Sequence, residues 1–291
     1  MKSEVEMLAA ENAVVGEGPL WDPDAQKLYW TDIRTGRFFE FDPPTNKNRL
    51  IHRGVFVGGA SVNKQGGFTF GTWEGVMLWR SDQDWKWLHH DPERGGTMQF
   101  NDVTAGPDGS FYAGSFYEDR PGKLFRFFPD GAVEVLAEGV GVSNGMGFSP
   151  DLRTFYHTDT RARTIYAYDY DPSTHRQSNR RTFVTLPNTE GAPDGMTVDS
   201  EGFIWSATWG GSSVIRFDPD GKEERRIQFP ATQTSSVMFG GSDLTDLYVT
   251  SANSGAGKSP GDREHRGGEL YRVKQEIQGK PEFKTDIPWP E

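Results

Sequence analysis

The sequence predicts an all-β fold: a six-bladed β-propeller with four antiparallel strands in each blade and the ring closed by N- and C-terminal strands in one blade. Three observations carry this. First, 35 glycines and 18 prolines stand beside 20 Phe, 9 Tyr and 9 Trp, a composition that favours short strands joined by many turns over helices. Second, six segments superpose: GPLWDPDAQKLYWTD (18–32), ASVNKQGGFTFGTW (60–73), VTAGPDGSFYAGS (103–115), MGFSPDLRTFYHTD (146–159), MTVDSEGFIWSAT (196–208) and VMFGGSDLTDLYVTS (237–251). Third, the aromatics at the centres of their second strands, Tyr29, Phe70, Tyr112, Tyr156, Trp205 and Tyr248, are 41, 42, 44, 49 and 43 residues apart. That period is close to the roughly 40–45 residues of a four-stranded blade.

Each segment has a short apolar stretch, a turn rich in Asp, Pro, Gly, Ser or Asn, and an alternating strand, which together read as the inner hairpin of one blade. After the third hairpin, KLFRFFPDGAVEVLA (123–137) alternates again and supplies an outer hairpin. TIYAYDYDP (164–172) and SVIRFDPDGKEERRI (213–227) do so after the fourth and fifth. After the sixth only GGELYRVKQE (267–276) is strand-like, and VEMLAAE (5–11) is expected to pair with it and close the ring. The polar stretch SGAGKSPGDREHRGG (254–268) reads as a surface loop. A β-sandwich or smaller barrel shares these turn signals but has no reason to repeat at this period. No linker or shift in composition divides the chain, so residues 1–291 are expected to form one domain.

Composition also limits the chemistry. The chain has no cysteine, which excludes thiolate metal sites, a thiol nucleophile and disulfides. A formal net charge of −11 without a basic run repels nucleic acid and anionic membranes. The acidic N-terminal MKSEVEMLAAENAVV has no apolar signal-peptide core, and no run is long enough to span a bilayer. A soluble, cytoplasmic protein with a small-molecule partner is expected.

Equivalent positions of the blades share one radius and height, so the repeat alignment maps the central channel. Five residues before the first turn residue of four repeats stand Glu17, Asn101, Asn144 and Asp194; the other two carry Gly58 and Ser235. Buried carboxylates are normally paired or bound to metal. The all-oxygen set of Glu17, Asn144 and Asp194, with water and Asn101 to complete it, suits one hard divalent cation, with calcium preferred and magnesium, manganese, zinc or iron as alternatives, although zinc usually recruits His or Cys. Polar groups hydrogen-bonded through channel water are the alternative. Gly16, Gly18, Gly145 and Gly195 flank these residues and fit close backbone approach as well as turns.

The stretches GEGPLWDPDAQKLYWTD, QFNDVTAGPDGSFYAG, SNGMGFSPD and PDGMTVDSEGFIWSA resemble the four signature stretches of the gluconolactonase, regucalcin and luciferin-regenerating-enzyme family. The resemblance covers nearly the whole chain. It implies a six-bladed propeller that hydrolyses sugar lactones with a bound divalent metal, Glu17, Asn144 and Asp194 as metal ligands, and Asn101 in contact with substrate or completing the metal shell. Members of the family commonly carry an arginine where this chain has Gln99, two residues before Asn101. They also carry an acidic residue on the loop where Glu118 and Asp119 stand, so all three are candidate substrate contacts. The neutral Gln99 has fewer donors than an arginine fork and no charge, which leaves the choice of lactone open.

Lactone hydrolysis needs a polarised carbonyl, an activated water and a stabilised oxyanion, and a divalent cation supplies the first and third. Asp194 is the expected base and Asn101 the expected holder of the carbonyl or a ring hydroxyl. Trp73, Phe116 and Trp209 are placed to wall the pocket or to pack the blades. Two rival readings remain: hydrolysis of other esters or phosphotriesters on the same scaffold, and a non-catalytic metal- or protein-binding propeller.

Two motifs are decoys. GVSNG (141–145) matches the G-x-S-x-G spacing of a serine-hydrolase elbow, but no helix is expected after Ser143. ANSGAGKS (252–259) ends like a phosphate loop but is followed by Pro260. The histidines show no metal-ligand spacing, and His157 is expected to pack within its blade.

Overall fold

The computed structural model describes residues 4–91, 98–254 and 267–290. Six antiparallel four-stranded sheets follow one another around a ring. Five are made of consecutive strands: the first blade runs Gly16–Asp22, Lys27–Asp32, Arg37–Asp42 and Lys47–Arg53. The six hairpins read from the repeats are the first two strands of the blades, and the first strands contact one another around the axis.

Blade 6 combines Gln233–Gly240, Asp246–Ala252 and Leu270–Lys274 with the N-terminal strand Glu6–Ala9 on its outside. Met7 pairs with Tyr271 and Ala9 with Leu270, and Arg272 meets Glu6 at 2.6 Å. The expected closure therefore forms over four residues. Residues 255–266, most of the polar stretch and of the phosphate-loop decoy, lie outside the described residues.

The aromatic repeat holds the ring together. Tyr29, Phe70, Tyr112, Tyr156, Trp205 and Tyr248 are all buried. They belong to five of six apolar clusters, each cluster shared by two neighbouring blades. Between blades 1 and 2, for example, Tyr29 meets Phe68 edge-on with ring centroids 4.7 Å apart, and Phe38 meets Phe70 at 4.9 Å. Each buried aromatic contributes about 1.5–3 kcal/mol through area alone, so the junctions between blades hold most of the core.

All six inner hairpins share an irregularity. Pairing slips between Glu17 and Leu20, Val57 and Gly59, Phe100 and Val103, Ser143 and Met146, Pro193 and Met196, and Thr234 and Ser236. Such a bulge inserts an extra residue, breaks the alternation and re-aims a side chain. In five blades it falls on the position singled out by the repeat alignment, and in blade 1 it follows directly after Glu17, which still pairs with Thr31.

The C-terminal residues 278–290 cross one end of the ring and touch all six blades. Gly279 donates its N–H to Leu244 O and bridges to Asp199, Phe283 packs on Phe148, and Thr285 bridges to Asn63. Asp286 N donates to Gly109 O, and Lys284 pairs with Asp24. The strap contacts the turns that link inner and second strands, so it closes the end where the inner strands finish.

Candidate active site

The opposite end, where inner strands begin and second strands end, opens into a cavity of about 320 Å³. Its floor carries Glu17, Asn101, Asn144 and Asp194, delivered by the bulges of blades 1, 3, 4 and 5. Trp73, Phe116 and Trp209 form the aromatic wall. Glu17, Asn144 and Asp194 are only 5, 4 and 2 % exposed. Gly145 makes this convergence possible: a Cβ there would stand 2.7 Å from Asp194 O and 2.5 Å from Met196 N, so blades 4 and 5 could not approach as they do.

Hydrogen bonds orient the two amides. Asn101 Nδ2 donates to Ser143 O at 3.0 Å and to Asn144 Oδ1 at 2.9 Å. Asn144 Nδ2 donates to Thr160 Oγ1 at 2.7 Å, and Thr160 Oγ1 donates to Pro193 O at 2.8 Å. Both amide protons of Asn101 are thus committed, which leaves its carbonyl oxygen as the group available to a ligand. Asn101 can receive a hydroxyl proton but has no N–H left for a carbonyl. Thr160 ties Asn144 to the residue that precedes Asp194.

The carboxylates are electrostatically uncomfortable. Burial raises Glu17 well above the usual carboxylate range, the charges of Asp194 and Asp102 push it further, and only the Gly18 N–H opposes. Asp194 is raised by burial and then by Asp102, with Asn144 opposing. Burial raises Asp102 to about 6. Neither Glu17 nor Asp194 forms an ion pair among the described residues, and Asp194 Oδ1 is buried without a hydrogen-bond partner.

An orphaned carboxylate oxygen beside a second buried carboxylate and two oriented amide oxygens fits a hard divalent cation, which would supply the missing positive charge. No group of three His, Asp or Glu side chains suited to a metal occurs among the described residues, so such a set has to draw on amide oxygens.

The offset that aligns the four floor residues does not reach Asp102, Thr160, Arg34 or Arg161. Asp102 follows Asn101 at a position filled by Gly18, Gly59, Gly145, Gly195 and Ser236 in the other blades. That break in a run of small residues was a readable signal. It lines a second, smaller cavity of about 40 Å³, to which the strap contributes Glu282 and Phe283. Thr160, Arg34 and Arg161 line the main cavity from the connections that follow the second strands of blades 4 and 1.

Of the candidate substrate contacts, Asn101 lines the cavity, whereas Gln99, Glu118 and Asp119 do not. Gln99 accepts the Phe116 N–H through its backbone oxygen. Glu118 reaches the cavity only through Arg34, 3.5 Å away, and Asp119 faces Arg120 at 3.9 Å.

Ser143 is no nucleophile. Its Oγ does meet His157 Nε2 at 2.7 Å, as in a catalytic dyad. However, both residues are buried and neither lines the cavity. His157 Nδ1 has no hydrogen-bond partner, so the ring lacks the orienting group that a base requires. Ser143 also packs so tightly on blade 3 that a Cβ at Gly114 would collide with its Oγ. A strand follows Ser143, not a helix.

Comparison with known proteins agrees with this geometry. The family described as SMP-30/Gluconolactonase/LRE-like region matches residues 15–253. The pentonolactonase XacC of Haloferax volcanii is 40 % identical over 278 residues, covering 94 % of this chain and 95 % of that protein. Regucalcin of Xenopus laevis is 34 % identical over 281 residues, covering 93 % and 94 %. A solved structure of a luciferin-regenerating enzyme superposes with a TM-score of 0.90 at 28 % identity, over 98 % of this chain and all of that one.

Proposed function

The chain belongs to the SMP-30/Gluconolactonase/LRE-like family, and from that premise we propose that it is a divalent-metal-dependent lactonase, acting on a sugar lactone, a pentonolactone first and gluconolactone next. The observation that carries the reading is the pair of buried, unpaired carboxylates, Glu17 and Asp194, beside the amides of Asn101 and Asn144 in one open cavity. The 40 % identity to a pentonolactonase over nearly the full chain supports the choice of substrate.

Glu17, Asn144 and Asp194 would hold the cation, with calcium the first ion to test for an all-oxygen set. When bound, it supplies Lewis-acid polarisation of the ester carbonyl and a positive centre for the developing oxyanion. The chain's own groups do the rest. Asp194 Oδ1 is free of hydrogen bonds and is the atom that orients the attacking water and takes its proton. Asn101 Oδ1 receives a ring hydroxyl, since its N–H groups are held by Ser143 and Asn144. The aromatic wall displaces water from the face of the ring. The water oxygen adds to the carbonyl carbon, the bond from that carbon to the ring oxygen breaks, and the proton ends on the departing ring oxygen, which gives the open hydroxy acid.

Replacing Asp194 by Ala and measuring lactone turnover with saturating calcium tests the assignment. We expect a loss of at least about 100-fold, with Ser143→Ala far milder. Turnover of the Asp194 variant near that of the unaltered protein would remove Asp194 from the reaction.

A further inference from the structure

Two arginines stand at the mouth of the cavity, and they share one repeat position, five residues after the central aromatics Tyr29 and Tyr156. Arg34 follows the second strand of blade 1 and Arg161 that of blade 4, and both line the cavity. They bracket one loop of blade 3. Arg161 Nη2 donates to Tyr117 O at 3.5 Å, and Arg34 Nη2 reaches Glu118 Oε1 at 3.5 Å. The Arg34 guanidinium also lies over the Trp73 ring, 5.0 Å from its centroid, and Trp73 meets Phe56 edge-on at 5.0 Å. The head of Arg34 is thus set against the aromatic wall.

The donor inventory points to a ligand. A guanidinium has five N–H donors and no acceptor. Arg161 forms no ion pair among the described residues, and its one hydrogen bond there is long. The partner of Arg34, Glu118, is 77 % exposed, where an ion pair is worth little. Most of the donors at this mouth are therefore open to whatever enters. Opposite them, the floor offers mainly acceptor oxygens and the wall is aromatic and apolar. A bare lactone ring has no hydroxyl for the arginines to bind. A polyhydroxylated ring presents acceptors along its edge.

We propose that Arg34 and Arg161 are specificity-determining residues that select polyhydroxylated lactones by donating to ring and side-chain hydroxyls, a donor function that the neutral Gln99 does not supply. This inference rests on the lactonase reading and adds to it the residues that choose the substrate. The two arginines come from blades 1 and 4 and approach the loop at 116–119 from both sides, so together they span the mouth.

The test compares rings of equal size: kcat/KM for glucono-δ-lactone against δ-valerolactone, measured by pH-stat on the full chain with saturating calcium, for the unaltered protein, Arg34→Met, Arg161→Met and Arg161→Lys. Hydrogen bonds from charged donors are worth about a factor of ten each, so the ratio should fall about tenfold or more in each Met variant, through KM. The Lys variant, with charge but no fork, should recover part of it. Calorimetric titration of D-gluconate should show the same order of affinities without turnover. Thermal unfolding separates folding defects from recognition, and should one Met variant fail to fold, the other and the Lys variant carry the comparison. A ratio within twofold of the unaltered protein in the folded variants would overturn the selection by arginine and leave the lactonase reading standing. Hydrolysis of neither lactone, and of no pentono-γ-lactone, by the unaltered protein would overturn both.

Discussion

Asn144 is held from behind as firmly as it is presented to the cavity. Its Nδ2 donates to Thr160 Oγ1, which itself donates to Pro193 O, so one hydroxyl sets the amide plane and couples it to the strand of Asp194. Outer groups that orient a metal ligand typically matter 10–100-fold. Thr160→Val, which keeps the shape and removes the hydroxyl, should therefore weaken calcium affinity by about tenfold or more in a calorimetric titration, with little change in thermal unfolding. His157 makes a separate prediction. Burial lowers it to about 4 from an ordinary value of 6.5, so below pH 6.5 the unfolded chain binds a proton that the folded one refuses. Stability is complete above pH 6.5 and is lost as pH falls toward 4, with a slope approaching about 1.4 kcal/mol per unit. Denaturant unfolding from pH 7 to 4.5 should show that slope reduced in His157→Gln, and an unchanged slope would remove His157 as the source.

At the level of the strand, the bulge is the device that makes the site. An ordinary inner strand would send alternate side chains into the two neighbouring blade junctions; the slip in register at each inner hairpin turns one residue toward the axis instead. This explains why so much was readable in the sequence: the bulge sits at one repeat offset, so Glu17, Asn101, Asn144 and Asp194 align once the turns are aligned. It also explains what was not readable. Thr160, Arg34 and Arg161 come from the connections after the second strands, away from the inner-strand offset, although Arg34 and Arg161 do share one repeat position; residues 278–290 have no alternation because they pair with turns rather than with a sheet. The Ser143–His157 contact is set by register, since Ser143 pairs with Asp159 while Met146 pairs with His157 across the slip. Gly145 tests the role of the bulge. Gly145→Ala places a methyl group against Asp194 O and Met196 N, and overpacking of this kind costs about 1–3 kcal/mol. It should lower the thermal midpoint and weaken calcium binding together; wild-type affinity in a destabilised Gly145→Ala protein would separate the strand approach from the site.

Across the whole molecule, the ring divides labour between its two ends. One end is crossed by a strap that touches every blade and lines a small second cavity. The other is open, and four blades deliver polar groups to one cavity there. Two buried carboxylates on the axis of a protein that already carries a formal charge of −11 are costly unless a cation joins them, so the account stands on that cation being part of the working protein. The most direct measurement is a pH-stat assay of acid release from a pentono-γ-lactone by the purified protein, before chelation, after exhaustive chelation and dialysis, and after calcium is restored. Turnover should disappear on chelation and return with calcium. Undiminished turnover in the chelated protein, or none with calcium at saturation, would contradict it.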